Sequence, residues 1–296
     1  MTARKLGTTN LETTDIAYGF WRYAGTSVKE ARAKVETALE CGIILMDHAD
    51  IYGAGDDTEF GDAEKLFGEV LREAPEIREK ITLATKGGIV LGVPYDSSAD
   101  YLRLAVENSL RRLQVDVIDL YQIHRPDFLG HPAEVAGVLT ELRNAGKIRE
   151  VGVSNYTVSQ TRALQAHLDF PIATVQPELS ALEPSTLRDG TLDWCMEVGA
   201  TPLAWSPLGG GRIFDENATG RIADVQAELD RIGEEQGASR TAVALAWVLR
   251  HPSSPIVILG TQKTERIKAS MDALKVNLSR TDWNRILVAS EGAPLP

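Results

Sequence analysis

Short apolar runs alternate with longer amphipathic stretches from about residue 15 to residue 273 of the chain. Several of the short runs are apolar throughout, which is typical of strands that are buried on both faces of a parallel sheet. Eight strands are predicted in this way: Ile16–Tyr18, Ile43–Met46, Ile81–Thr85, Val117–Ile123, Val151–Val153, Ala173–Val175, Pro202–Ala204 and Ile256–Leu259. Strands that alternate with helices indicate the α/β class.

The stretches between the strands have the ends expected of helices. Ser27 and Glu30 form a capping-box pattern, and the apolar face that follows them stops before Gly42. Further helices are predicted over residues 102–113, from Pro132 to just before Gly146, and over Thr241–Arg250. The amphipathic period of these segments supplies the apolar surface that would cover a central sheet.

Eight strand–helix units favour a closed (β/α)8 barrel, a TIM barrel, over an open doubly wound sheet. A short N-terminal hairpin that turns over residues 7–10 is expected before the first barrel strand, and a C-terminal helix over Asp282–Ala289 after the last. The sequence contains no internal repeat beyond this unit and no linker. We therefore expect residues 1–296 to form one domain.

Composition narrows the range of partners and compartments. The apolar fraction of 43% is ordinary for a globular protein. The net charge of −11 argues against nucleic-acid and anionic-membrane partners, because both select basic surfaces. The longest apolar run, Ala242–Leu249, is too short to span a bilayer, and the N-terminus lacks an apolar signal core. Cys41 and Cys195 are interpreted as core residues of a protein in a reducing compartment. A cytoplasmic protein is expected.

Polar or aromatic residues follow almost every predicted strand. In α/β barrels the chemistry lies at the C-terminal ends of the strands, where the loops leave the core. Those ends carry Gly19, Asp47, Lys86, His124, Ser154, Asn155, Gln176, Trp205, Ser206, Gly260 and Thr261. Tyr52 follows Asp47 by five residues in the same loop. This near-complete ring predicts a functional site at one mouth of the barrel.

A tyrosine, a lysine, an aspartate and a histidine at one mouth suggest proton delivery. Tyrosine has an unperturbed pKa of about 10, and a nearby ammonium lowers it by stabilising the tyrosinate. An aspartate keeps such a lysine charged, and a histidine can donate to a substrate oxygen. Each residue also has a structural interpretation, because isolated buried Asp–Lys pairs and lone core histidines are common. Their convergence favours function.

Other kinds of site find no support in the sequence. No GxGxxG or P-loop motif occurs, so a Rossmann nucleotide site is not expected. His48 and Asp50 lack a second histidine at ligand spacing, and no metal site is predicted. Neither a GxSxG elbow nor a cysteine–histidine signature is present.

Two loop motifs carry a family resemblance. Residues 47–53 read Asp-His-Ala-Asp-Ile-Tyr-Gly and residues 123–127 read Ile-His-Arg-Pro-Asp. With these motifs the chain resembles the aldo-keto reductases, in particular a bacterial branch, over essentially its whole length. The resemblance implies that Asp47, Tyr52, Lys86 and His124 are the catalytic tetrad. Glu64 and Gly68 also match the helix that follows the tyrosine loop.

The same resemblance implies NADP(H) as the cofactor. Ser154, Asn155 and Gln176 would hold the nicotinamide carboxamide, and Trp205 would stack on the ring. The implied cofactor site as a whole comprises Gly19, Ser154, Asn155, Gln176, Trp205, Ser206, Pro207, Leu208, Gly209, Gly260, Thr261, Lys263 and Arg266. Within it, Lys263 and Arg266 are the cations for the adenosine phosphate. Gly260 stands where some branches have a phosphate-binding lysine.

The expected activity is reduction of small aldehydes or ketones to alcohols, with hydride from the nicotinamide and the proton from Tyr52. The substrate pocket is expected to include Phe20, Trp21 and Arg125, and the protein to be a monomer or weak oligomer. Two alternatives stay open. One is a redox-sensing regulatory subunit that binds the cofactor with little turnover, and the other is a barrel that only binds small molecules.

Overall fold

The chain begins with a short hairpin that closes one end of the molecule. In the computed structural model, which describes residues 3–55 and 57–294, β1 (Arg4–Lys5) pairs antiparallel with β2 (Glu12–Thr13). Gly7 in the turn adopts φ +61°, and a Cβ there would lie 2.6 Å from the carbonyl oxygen of Ala173. Only glycine fits such a turn without strain. The predicted hairpin is confirmed.

Eight parallel strands then close into a barrel. They are β3 (Ile16–Gly19), β4 (Leu45–Asp47), β5 (Thr82–Gly87), β6 (Ile118–Ile123), β7 (Ile148–Ser154), β8 (Thr174–Gln176), β9 (Thr201–Ala204) and β10 (Ile256–Leu259). Each strand pairs with the next, and β10 pairs with β3 to close the ring. The predicted α/β class and (β/α)8 barrel are confirmed, with every predicted strand present.

The strand bounds differ from the prediction where polar residues interrupt an apolar run. The largest difference is at β7, which begins at Ile148 rather than Val151, because the ladder to β6 continues past the polar residues Arg149 and Glu150. Conversely, Ile43 does not belong to β4. Its backbone N–H donates to the carbonyl oxygen of Ala38 and so ends the preceding helix.

Ten α-helices surround the barrel in the part of the chain that the structure describes. They are α1 (Val28–Glu40), α2 (Asp62–Glu73), α3 (Ala99–Leu113), α4 (Pro132–Asn144), α5 (Val158–Gln165), α6 (Thr191–Val198), α7 (Arg221–Gln236), α8 (Arg240–Leu249), α9 (Thr264–Ser270) and α10 (Arg280–Glu291). The capping box of Ser27 and Glu30 forms as predicted at the start of α1. None of these helices is long and apolar enough to cross a membrane.

The C-terminal helix is attached to the barrel wall by a pair of indoles. Trp247 of α8 and Trp283 of α10 stack with ring centroids 5.0 Å apart and an interplanar angle of 8°. Each indole N–H donates to the backbone carbonyl oxygen of the other residue, at 3.1 and 2.9 Å. Because buried indole N–H groups need acceptors, this reciprocal arrangement satisfies both while it docks the predicted C-terminal helix.

The inside of the barrel has two different layers. At its N-terminal end Leu6 of the hairpin packs with interior strand residues into a wholly apolar cluster: Ala17, Leu45, Ala84, Leu120, Ala173, Leu203, Ile256 and Ile258. Towards the opposite end the inward-facing side chains become polar, beginning with Gln122 and Thr174, which are fully buried. The apolar layer closes the base, and the polar layer leads to the mouth.

Candidate active site

The barrel register brings three of the predicted residues to adjacent strand ends. Asp47 ends β4, Lys86 lies near the end of β5, and His124 directly follows β6. The ladders pair Asp47 with Ala84 and Lys86 with Gln122, so the three side chains lie side by side at the C-terminal mouth. Asp47, Lys86 and His124 are close together because β4, β5 and β6 are neighbours in the barrel.

Asp47 and Lys86 form a buried ion pair. The Lys86 ammonium lies 2.7 Å from Oδ2 of Asp47 and 2.7 Å from the backbone carbonyl oxygen of His48, and neither side chain is appreciably exposed. Burial, the largest single influence, would lower the pKa of Lys86, but the charges and hydrogen bonds of Asp47 and Tyr52 together outweigh it, and the pKa lies above its usual value. Lys86 is therefore held as a cation in a site shielded from water.

Tyr52 lies against this ion pair. Its ring centroid is 5.1 Å from the Lys86 ammonium, and its loop is fixed by the bond from the Ala63 N–H to the Tyr52 carbonyl oxygen. The pKa of Tyr52 is raised, because burial disfavours the charged phenolate more than the Lys86 ammonium favours it. This direction is opposite to the one expected from residue types alone. The cause is desolvation, which the sequence does not display.

His124 completes the group in its neutral form. Its ring packs edge to face on Tyr52 with centroids 5.8 Å apart. Burial, reinforced by the positive charges of Lys86 and Arg125, lowers the pKa of His124 well below its usual value. A neutral imidazole has one N–H to donate and cannot compete with Tyr52 as a cationic acid.

Four of the predicted cofactor residues form one hydrogen-bonded chain across β7, β8 and β9. The Ser154 hydroxyl donates to the backbone carbonyl oxygen of Gln176 at 3.0 Å, and Asn155 Nδ2 donates to that hydroxyl at 2.8 Å. The Trp205 indole N–H donates to Asn155 Oδ1 at 3.0 Å. The backbone of Asn155 is left-handed, with φ +58°. The amide, hydroxyl and indole are thereby pre-oriented at the mouth.

The loop after Trp205 has a left-handed backbone and, at two of its glycines, open space into which a ligand could fit. Ser206 has φ +50°, and Gly209, Gly210 and Gly211 are all left-handed. A Cβ on Gly210 or Gly211 would meet no atom within 4 Å. Pro207 is buried, whereas Leu208 is partly exposed. Gly19, at the end of β3, is closed in by Ile258 of the neighbouring β10, since a Cβ there would lie 2.7 Å from its Cγ2.

The segment after β10 is open and basic. Gly260 is exposed with no atom near a built Cβ, and the Thr261 hydroxyl accepts from the Lys263 N–H at 3.3 Å. Lys263 and Arg266 are exposed, and neither forms an ion pair with any residue of the ranges 3–55 and 57–294. Both cations are therefore available to an anion from solution.

The three expected pocket residues occupy different environments. Phe20 is fully buried and stacks on His48, with centroids 3.6 Å apart, inside an aromatic cluster with Tyr18, Tyr23 and Phe67. Trp21 is 60% exposed. The Arg125 guanidinium lies 5.8 Å from the Trp205 ring centroid. Trp21 is thus accessible to solvent and Arg125 lies beside Trp205, whereas Phe20 is part of the core.

Several polar residues near the site were missed at the sequence level. Gln122 donates to Asp47 at 3.4 Å, and Gln262 accepts from the Tyr18 hydroxyl at 3.0 Å. Gln122 could have been found from the sequence, since a glutamine inside an otherwise apolar strand needs a buried hydrogen-bond partner. Gln262 could not, because it lies in a polar loop.

A second group of buried polar residues lies behind the tyrosine loop. Glu64 accepts from Arg112 at 2.7 Å and from the Thr85 hydroxyl at 2.5 Å. Asp50 accepts from Tyr101 at 3.3 Å. Burial and the nearby Glu64 raise the pKa of Asp50 to about 8. Glu64 therefore links α2 to α3 and to β5.

Sequence comparison places the chain among oxidoreductases. The profile of the Aldo/keto reductase family matches residues 15–291. A 6-dehydroglucose reductase of Novosphingobium aromaticivorans is 48% identical over 99% of this chain and 97% of its own length. A 6-dehydroglucose reductase of Agrobacterium fabrum is 40% identical over 95% and 96%. The oxidoreductase YdhF of Escherichia coli is 38% identical over 94% of both chains.

Solved structures agree with this placement. The glycerol dehydrogenase of Gluconobacter oxydans superimposes with a TM-score of 0.86 at 27% identity, covering 99% of this chain and 97% of its own. A thermostable aldo-keto reductase in complex with the inhibitor epalrestat gives a TM-score of 0.83 at 25% identity, covering 98% and 100%. The chain is an oxidoreductase and belongs to the aldo/keto reductase family.

Proposed function

We propose that this enzyme reduces small aldehydes or ketones to alcohols with NADPH, and that Tyr52 is the proton donor. The observation that carries the proposal is the buried ion pair of Asp47 and Lys86, held against Tyr52 and the neutral His124. An ion pair that only stabilises the fold does not need a tyrosine and a histidine packed against it. Residues 1–296 are taken to act as one domain, because the described strands close a single barrel.

The residues at the mouth fit a dinucleotide with an extra phosphate. Asn155, Ser154 and Gln176 present amide and hydroxyl groups of the kind that bind a carboxamide, next to the Trp205 ring. The left-handed Gly210 and Gly211 leave room for a close approach, and Lys263 and Arg266 offer a phosphate positive charge that no described residue pairs. When bound, the reduced cofactor supplies the hydride.

The protein supplies the proton and the charge stabilisation. Tyr52 donates its phenolic proton to the carbonyl oxygen while hydride adds to the carbonyl carbon, so aldehyde, NADPH and one proton become alcohol and NADP⁺. Lys86 stabilises the phenolate left behind, and Asp47 holds Lys86 in place. His124 donates its single N–H to the same substrate oxygen as negative charge develops there.

A sugar aldehyde is the substrate we propose to examine first. Two relatives that align along nearly the full chain, at 48% and 40% identity, are 6-dehydroglucose reductases. Trp21 and Arg125 border the mouth, and an exposed indole and a guanidinium are groups that pack on and hydrogen-bond to sugars. The proposed reaction is the reduction of 6-dehydroglucose to glucose.

The test follows NADPH oxidation by absorbance against a panel of aldehydes and ketones that includes 6-dehydroglucose. Many turnovers without a partner protein support the proposal. A single stoichiometric oxidation that then stalls would favour the redox-sensing regulatory subunit instead.

Tyr52→Phe tests the role of the phenol. We expect kcat to fall by about 10²–10⁴-fold with cofactor affinity close to normal, since only the proton donor is lost. Tyr23→Phe is the control, because that hydroxyl is buried without a hydrogen-bond partner among the described residues. Retention of most of the turnover by Tyr52→Phe would remove the phenol from this role.

A further inference from the structure

Below the tetrad, a polar layer inside the barrel connects β8 to Asp47. Gln122 of β6 and Thr174 of β8 are both fully buried. The Thr174 hydroxyl lies 3.1 Å from Gln122 Oε1, and Gln122 Nε2 lies 3.4 Å from Asp47 Oδ1. Gln176 Nε2 donates to the same carboxylate oxygen at 3.0 Å. The two oxygens of Asp47 are therefore divided, one for Lys86 and one for two amides.

The orientation of the Gln122 amide follows from its partners. A carboxylate only accepts, so the NH₂ group must face Asp47 and the carbonyl oxygen must face Thr174. The Thr174 hydroxyl must then donate to Oε1, which leaves Gln122 with one possible orientation. Thr174 therefore orients Gln122, and Gln122 shares Oδ1 of Asp47 with Gln176.

Gly152 of β7 makes room for this contact. A Cβ at Gly152 would lie 2.0 Å from the Thr174 hydroxyl oxygen and 3.0 Å from Gln122 Cγ. A side chain of any size would push the two groups apart. The missing Cβ is thus a condition for the hydrogen bond between Thr174 and Gln122.

The geometry points to Gln122 as a positioning residue that, oriented by Thr174, sets how strongly Asp47 acts on Lys86 and Tyr52. The inference rests on the proposed role of Tyr52 as proton donor. The Gln122 amide offsets part of the negative charge of Asp47. Without it, that charge opposes the tyrosinate more strongly and binds Lys86 more tightly. Tyr52 should then be a weaker acid.

The experiment titrates Tyr52 in the full chain by tyrosinate absorbance, as the difference between each protein and its Tyr52→Phe counterpart. We expect Gln122→Met to move the Tyr52 midpoint to higher pH by about half a unit to one unit, less than the full effect of a lost hydrogen bond to a charged group, because the lost bond acts on Tyr52 only through Asp47. Thr174→Val should give a smaller shift in the same direction, and Thr174→Ser, which keeps the hydroxyl, none. In turnover, kcat for reduction at neutral pH should fall several-fold, and its alkaline limb should move with the titration.

Thr82→Val is the matched control. The Thr82 hydroxyl is buried at the opposite end of the barrel and donates to the backbone carbonyl oxygen of Glu12 at 2.6 Å. Its loss should lower Tm without moving the titration. If Gln122→Met and Thr174→Val lower Tm in the same way and leave the Tyr52 midpoint unchanged, the positioning role is wrong. Thr174→Val carries this test if Gln122→Met does not fold.

The titration needs neither cofactor nor substrate, so the two proposals can fail separately. A shifted midpoint in a protein without carbonyl turnover would overturn the proposed function and support the coupling of Gln122 to Tyr52. Normal carbonyl turnover with an unshifted Tyr52 midpoint would support the proposed function and overturn the coupling of Gln122 to Tyr52.

Discussion

The two ends of the barrel each contain a buried aspartate, and the two differ in their partners. Asp47 at the mouth is paired with Lys86, which has no exposed side-chain surface. Asp119, at the start of β6 near the base, lies 2.9 Å from Arg78 and 3.1 Å from Arg149, whose side chains are 25% and 58% exposed. Its Oδ2 also accepts from the backbone N–H of Leu83 at 2.8 Å.

This difference separates the charge pair that we propose takes part in catalysis from one that only stabilises the fold. The arginines of Asp119 keep part of their hydration, and a guanidinium cannot give up its proton at accessible pH. Lys86 is desolvated and faces a titratable phenol, so its charge acts on a neighbour that can change protonation state. Burial of an ion pair does not itself indicate function. What matters is whether a third, titratable group shares the site.

Lys86→Met should give the largest effect. It leaves Asp47 buried without its cation, which we expect to lower the free energy of unfolding by about 3–5 kcal/mol. It should also reduce kcat by about 10²-fold or more, because the tyrosinate loses its stabilising charge. Urea unfolding and NADPH oxidation measure the two losses. Arg78→Met is the counterpart at the base and should lower stability alone. Comparable losses of kcat in both variants would end the distinction between the two pairs.

Asp119→Asn should have the next largest effect, a loss of about 2 kcal/mol in the free energy of unfolding. This loss is smaller than that for Lys86→Met because the arginines that pair with Asp119 are partly solvated. The amide oxygen still accepts from Leu83, so β5 and β6 should stay in register. We expect kcat of the folded protein close to that of wild type, measured below the unfolding transition. A large fall in kcat would show that the base is coupled to the mouth.

Arg266 differs from the cations of both buried pairs, because it is exposed and its charge is available to a ligand. Arg266→Ala should raise the KM for NADPH by about tenfold or more, and that for NADH little, because a charge-assisted contact to the extra phosphate is lost. Lys268→Ala on the same helix is the control, since Lys268 already lies 3.4 Å from Glu40. Equal losses for both cofactors, or a wild-type preference for NADH, would contradict the assignment.

The smallest expected effect is a change in how steeply the free energy of unfolding depends on pH, and it comes from Asp50. The pKa of Asp50 is about 8 in the folded protein, above its usual value near 3.8. Between these values the unfolded chain releases the proton and the folded chain keeps it, so this group makes stability fall as pH rises from about 4 to 8. Asp50→Asn should remove that decline, at most about 1.4 kcal/mol per pH unit.

Asp100→Asn, at a fully exposed aspartate, should leave the slope of stability against pH unchanged. Unfolding curves at several pH values measure both variants. An unchanged slope in Asp50→Asn would show that Asp50 is ionised in the folded state.

Local pattern sufficed to predict the barrel, and motifs sufficed to predict which residues meet at its mouth. The capping box at Ser27 and the apolar strand runs depend on neighbours in sequence, and both formed as expected. The proximity of Asp47, Lys86 and His124 follows from strand order, which repetition of the βα unit already implies. Those features are encoded over short distances along the chain.

What could not be predicted depends on contacts between distant elements. The burial of Phe20 arises from stacking on His48 and packing against Phe67 of α2. The raised pKa of Tyr52 arises from desolvation by the assembled mouth. The role that we propose for Gln122 depends on the register that places it beside Lys86 and within reach of Thr174. No pattern of residue types specifies how much water a closed barrel excludes.

The stacked indoles of Trp247 and Trp283 also give the molecule an internal optical reporter. Two nearly parallel rings 5.0 Å apart share their excited states, so their near-ultraviolet circular dichroism differs from that of separated indoles. Undocking of the C-terminal helix would abolish this signal while the barrel strands keep their far-ultraviolet spectrum. The folding of the last segment is therefore observable without a label, and any fluorescence change assigned to Trp205 has to be measured against this constant pair.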